Sequence, residues 1–134
     1  LNRLKISQSI GTEVTPQRGY VPPPLVGIWA RYPYFHNNSV PTLYVVITPD
    51  KDRPLRYIAV PAEDKQTDFD VKRNGYPRPR LIKEPYRSDS EYLYDTRKRG
   101  MSNHGHTSML LDESGDPKFT ESEKQDLVQF LQTL

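Results

Sequence analysis

Thirteen prolines are scattered between Pro16 and Pro117 of this 134-residue chain, and no other feature limits its fold as much. Each one fixes its own φ and removes a backbone donor, so helices and central strands are interrupted wherever a proline falls. Seven glycines add further breaks. The chain is therefore expected to be rich in loops, with Val21-Pro22-Pro23-Pro24 forcing an extended entry over residues 1–24.

Only 34% of the residues are hydrophobic, and Leu, Ile, Val and Phe together make 31 of the 134. A core built from these alone would be thin, so the chain is expected to fold but to rely on a bound cofactor or partner chain to complete its interior. The net charge of +2 gives no self-repulsion that would favour disorder. No apolar run reaches the 18–20 residues of a membrane span, and Leu1-Asn2-Arg3-Leu4-Lys5 is neither an initiator methionine nor the start of a signal peptide. The chain is thus expected to be truncated at its start. The absence of cysteine excludes disulfides, thiolate metal sites, cysteine nucleophiles and covalent haem attachment within these residues.

Charge is uneven: residues 1–70 carry +1, 71–100 carry +5 and 101–134 carry −4. The basic middle, with Tyr76, Tyr86, Tyr92 and Tyr94, has the composition of a nucleic-acid surface. Its proline-rich spacing offers no recognition helix or aromatic sheet motif, so no nucleic-acid partner is expected.

Residues 25–49 hold the most aromatic stretch, Ile28-Trp29-Ala30-Arg31-Tyr32-Pro33-Tyr34-Phe35-His36, whose bulk calls for burial against a flat apolar surface. A short helix is expected before Pro33 and a turn at Asn37-Asn38-Ser39, where asparagine tolerates positive φ. Thr42 is placed to cap a short helix over Leu43 to Ile47, against the strand preference of Val45, Val46 and Ile47. Residues 50–99 read as long loops with one short hairpin, its strands drawn from 55–60 and 92–94. Thr120-Glu121-Ser122-Glu123 is a capping box that opens a C-terminal amphipathic helix over 120–134, with Leu127, Leu131 and Leu134 on one stripe and Val128 and Phe130 widening it. The expected fold class is mainly α with extensive loops and a possible short β-hairpin.

Three histidines bound the metal chemistry. His104 and His106 stand two apart in Gly100-Met101-Ser102-Asn103-His104-Gly105-His106, where the glycines allow tight turns that bring either ring to a metal. His36 fits a buried hydrogen-bonding group, a proton shuttle or a ligand. Surface or hydrogen-bonded structural roles fit all three equally. No phosphate loop, nucleophile elbow or calcium loop is present. Two histidines with no carboxylate beside them in sequence make a poor zinc set.

The run from Pro23 to Leu43, Pro-Pro-Leu-Val-Gly-Ile-Trp-Ala-Arg-Tyr-Pro-Tyr-Phe-His-Asn-Asn-Ser-Val-Pro-Thr-Leu, resembles the segment after the second haem domain in di-haem c-type cytochromes of the cytochrome c peroxidase superfamily. It is most similar to the large secreted branch that includes the rubber oxygenases. Arg53-Pro54, Tyr94-Asp95, the Asn103-His104-Gly105-His106 element over 100–119 and the closing helix follow in the same order. The resemblance covers residues 20–134 and implies a cytochrome c-like haem domain remnant.

By this resemblance His106 is the axial ligand of a haem iron, with His104, Met101 and Met109 as substitutes. Trp29, Tyr34, Phe35 and His36 would line the haem edge, His36 on the propionate side, and Asn103 would belong to the cofactor-binding set. The Cys-x-x-Cys-His attachment motif of the family is missing, so the haem c would be attached outside this segment. The implied function is electron transfer in a multi-haem cytochrome, within a peroxidase or dioxygenase, in the periplasm or secreted. Its partners would be the N-terminal haem-bearing part of the same protein and an electron-transfer protein. The rival reading is a non-catalytic protein-binding subunit whose histidines are incidental.

Overall fold

The computed structural model describes residues 5–11, 19, 21–64 and 66–134, and within them one helix alone exceeds five residues. The α-helices are α1 (Lys5–Ser9), α2 (Leu43–Val46) and α3 (Glu121–Leu131), joined by isolated 3-10 turns. Strands β1 (Arg56–Ile58) and β2 (Leu93–Asp95) pair antiparallel with Tyr57 opposite Tyr94. They are separated by 34 residues of chain, so they form a two-stranded ribbon and not a tight hairpin. Of the expected extended entry, residues 1–4, 12–18 and 20 lie outside the described residues. Residues 5–9 are helical, and residues 21–24 have no regular structure and are exposed.

α2 shows why a helix of four residues persists in a β-branched sequence. Its first backbone donors have no partner inside the helix. Leu43 and Tyr44 donate to the carbonyls of Asn74 and Arg73 at 3.0 and 3.1 Å, and Val45 donates to the Thr42 hydroxyl at 3.2 Å. Burial of Leu43, Tyr44 and Val45 then outweighs their intrinsic preference. The segment that supplies these carbonyls is fixed by Asn74, which is 1% exposed. Its amide donates to the Trp29 carbonyl and the Tyr34 hydroxyl, both at 2.8 Å, and its oxygen accepts from Gln132 at 3.0 Å. One side chain thereby ties the aromatic stretch, α2 and the end of α3 together.

α3 begins with the reciprocal capping box at Thr120 and Glu123. Its inward stripe is Lys124, Leu127, Val128 and Leu131, with Val128 fully buried. Phe130, expected to widen that stripe, is 58% exposed, because it lies beyond the edge that meets α2. Tyr34, Val40, Leu43, Tyr44, Val45, Ile47, Leu110 and Val128 form the main core. A second cluster, Ile58, Val60 and Ile82, sits under Tyr76, Tyr86 and Tyr92. Aromatic rings bridge the aromatic stretch to the ribbon. Phe69 packs on Tyr32, Tyr32 meets Tyr76 edge to face, Tyr76 stacks on Tyr57, and Tyr57 stacks on Tyr94 with centroids 4.9 Å apart.

Candidate functional site

The loop over residues 100–107 cannot be regular: Gly100, Gly105 and His106 all have positive φ, at 81, 129 and 54°. Its carbonyls are received by two side chains from distant parts of the chain. The Asn37 amide donates to the Gly100 and Ser102 carbonyls at 3.2 and 2.9 Å. Arg53 Nη1 donates to the Asn103 and Gly105 carbonyls at 2.5 and 2.9 Å, while its Nε donates to Thr48 at 2.8 Å. A guanidinium suits this task because its fork presents several donors in a fixed plane.

Arg53 is 4% exposed, and burial lowers its pKa against the attraction of Asp50. Its Nη2 is buried and has no hydrogen-bond partner among the described residues. The Phe35 ring centroid lies 5.1 Å from the Arg53 guanidinium carbon and 5.2 Å from the His106 ring centroid. Phe35 itself has φ 65°, a conformation that a bulky side chain rarely adopts. Two residues at positive φ, Phe35 and His106, therefore pack together, and Phe35 also meets the buried Arg53 cation.

His106 is exposed and stands on this support. His104 also points outward, its Nδ1 held 3.0 Å from the Asp50 carboxylate. An ionised carboxylate only accepts, so Nδ1 is the donor in this contact. That bond is the main reason the Asp50 pKa is lowered. Asp50 also corrects the reading that no carboxylate stands near the histidines: it comes from 54 residues away, and sequence neighbours gave no sign of it. No group of three His, Asp or Glu converges among the described residues, so the loop presents single imidazoles and not a complete metal cage.

The remaining candidates are dispersed. Asn103 is buried at 1% exposure with its amide on the Pro54 carbonyl at 2.9 Å, so it secures the loop from within. Tyr34 is buried in the main core, donating to the Ile28 carbonyl. Trp29 is half exposed and borders a separate apolar hollow with Tyr32, Phe69 and Val71. His36 is exposed, and Met109 is 64% exposed. Met101 is partly buried. Of the expected aromatic set, Phe35 packs on the His106 ring.

Residues 19–58 match the protein family described as RoxA-like, cytochrome c-like. This stretch is related to the RoxA-like cytochromes c. The relation carries a general association with haem and electron transfer, and the matched residues include Phe35, Asn37, Asp50 and Arg53, the half of the junction that receives the 100–107 loop. The chain is also similar to two proteins of Sinorhizobium fredii (strain NBRC 101917 / NGR234), each called an uncharacterized protein. It is 34% identical to y4iM over 126 residues, covering 87% of this chain and 27% of that protein. It is 32% identical to y4iJ over 113 residues, covering 83% of this chain and 17% of that protein. The chain thus spans about a quarter or less of the curated relatives it matches.

A haem at this loop could take an imidazole donor from these residues but not its covalent attachment. An outward imidazole backed by a packed ring can approach an iron from outside, whereas thioether bonds need cysteines that these residues lack.

Proposed function

We propose that this segment closes one side of a c-type haem site in a multi-haem electron-transfer protein, and that His106 is the axial ligand to an iron whose porphyrin is attached elsewhere in the polypeptide. The observation that carries the reading is the exposed His106 imidazole, held in a strained loop by buried Arg53 and backed by Phe35. When bound, the haem supplies a one-electron iron couple.

The protein's own residues do the rest. Arg53 and Asn37 fix the loop backbone, so the imidazole needs little reorganisation to reach a ligand position. Phe35 packs against the His106 ring, with centroids 5.2 Å apart. The Asp50 bond holds His104 at the loop's other side. Residence in the periplasm or secretion, membership of the di-haem peroxidase superfamily, and peroxide or dioxygen chemistry at another haem belong to the same proposal, as do the N-terminal haem-bearing part and an electron-transfer protein as partners.

The test is the visible spectrum of the full-length, haem-loaded protein. His106→Ala is expected to lose a low-spin contribution that returns when free imidazole is added, and His104→Ala is expected to keep it. A spectrum unchanged in His106→Ala contradicts the assignment. A second reading, a non-catalytic protein-binding surface, is favoured by the exposed Leu25, Val26 and Trp29. It would gain if neither histidine variant alters the haem.

A further inference from the structure

Away from the histidine loop, α2 and the start of α3 enclose a cleft of about 620 Å³, within the range of small-molecule sites. Its apolar wall includes Val45, Tyr57, Tyr76, Pro77 and Phe119. Its other wall carries Arg73 and Arg78, and both arginines continue into an adjoining hollow of about 450 Å³ that also holds Lys72 and Arg80. The Arg73 guanidinium lies over the Tyr44 ring, 4.5 Å from its centroid. Both arginines are close enough to oppose the rise of the Tyr44 pKa, which burial and Glu121 push up to about 12.

Of the acids that line the cleft and its neighbour, Glu121 and Asp70 are engaged, and Asp52 makes no side-chain hydrogen bond or ion pair with another described residue. Glu121 accepts from the Tyr44 hydroxyl and from Lys124, and Asp70 accepts from the Arg73 backbone. Neither guanidinium makes a side-chain hydrogen bond or ion pair with another described residue. A half-buried arginine stacked on a ring, with unused donors beside a second arginine, is arranged for an oxyanion. The apolar wall across the cleft asks for a hydrocarbon or aromatic body on the same molecule.

We propose that this cleft binds an organic anion, its carboxylate or phosphate on Arg73 and Arg78 and its apolar body against Tyr57, Tyr76 and Phe119. The site does not depend on haem ligation by His106.

Calorimetric titration of the full-length protein with octanoate, octyl phosphate and octanol tests it. At least one of the two anions is expected to bind, and the tighter one names the headgroup. Octanol is expected to bind about tenfold more weakly or worse, since a charged hydrogen bond contributes roughly that factor. Arg78→Gln, an exposed position whose loss leaves the core intact, is expected to weaken the anion about tenfold, and Arg73→Gln/Arg78→Gln more, while Arg87→Gln elsewhere leaves it unchanged. No binding of either anion to the full-length protein, equal binding of octanol, or unchanged affinity in the Arg78 variant would overturn the proposal.

Discussion

At Gly75 the backbone of one loop passes so close to another that no side chain fits. A Cβ there would stand 2.2 Å from the Pro41 carbonyl oxygen and 2.9 Å from the Thr42 Cα, at φ 149°. Both neighbours are backbone, so neither can rotate away. Gly75→Ala is therefore expected to destabilise the protein by about 3 kcal/mol or more, read as a lower denaturant midpoint. Arg53 is the polar counterpart. Arg53→Gln removes the donor that the buried carbonyls of Thr48 and Asn103 depend on, and Arg53→Lys cannot span them with one ammonium. Each unpaired buried acceptor costs about 1–3 kcal/mol, so both variants should lose about 3 kcal/mol or more. Amides of residues 100–107 should exchange with solvent faster than those of α3. Equal protection of the loop in the variants would show that Arg53 does not hold it.

Among elements, those with a local chemical signature were legible in sequence. The capping box starts α3 where Thr120 and Glu123 indicate, and Thr42 caps α2. Strand β1 falls within the stretch 55–60 that suggested it, and β2 overlaps 92–94 but ends one residue later, at Asp95. What spacing did not reveal is what each element packs on: Phe130 looked inward by pattern and faces solvent because the stripe meeting α2 is narrow.

The α3 cap also gives a pH dependence. Bonds from the Thr120 backbone and hydroxyl hold the Glu123 carboxyl below its ordinary value. Its contribution is present above the unfolded carboxyl value near about 4.3 and is lost as pH falls through the lower folded value. Carboxyl NMR titration should find Glu123 below an ordinary glutamate, and Thr120→Ala, which removes the hydroxyl but keeps the backbone donor, should return it only part of the way while costing about 1 kcal/mol of stability. A Glu123 titration unmoved by that substitution would argue against a contribution from the Thr120 hydroxyl.

For the molecule as a whole, the parts of the candidate site lay far apart in sequence. Phe35 and Arg53 meet the His106 loop, and Asp50 meets His104, across some fifty residues or more of chain, and no periodicity reports such a contact. The resemblance pointed to the histidine loop and to the aromatic run that precedes it. It did not separate Phe35, which touches the His106 ring, from Tyr34, which the core consumes. Nor did it show Arg53 beneath the loop or Asp50 on His104. A thin core with several exposed apolar side chains, among them Leu25, Val26, Trp29 and Met109, is also what a segment of a larger haem protein would present to its neighbours.

Electron paramagnetic resonance of the oxidised full-length protein decides most directly whether the imidazole of His106 binds iron. Ligation predicts that His106→Ala converts one low-spin haem signal to high spin, that added imidazole restores it, and that His104→Ala leaves it in place. A wild-type low-spin signal in the His106 variant, with all haems accounted for, would contradict it.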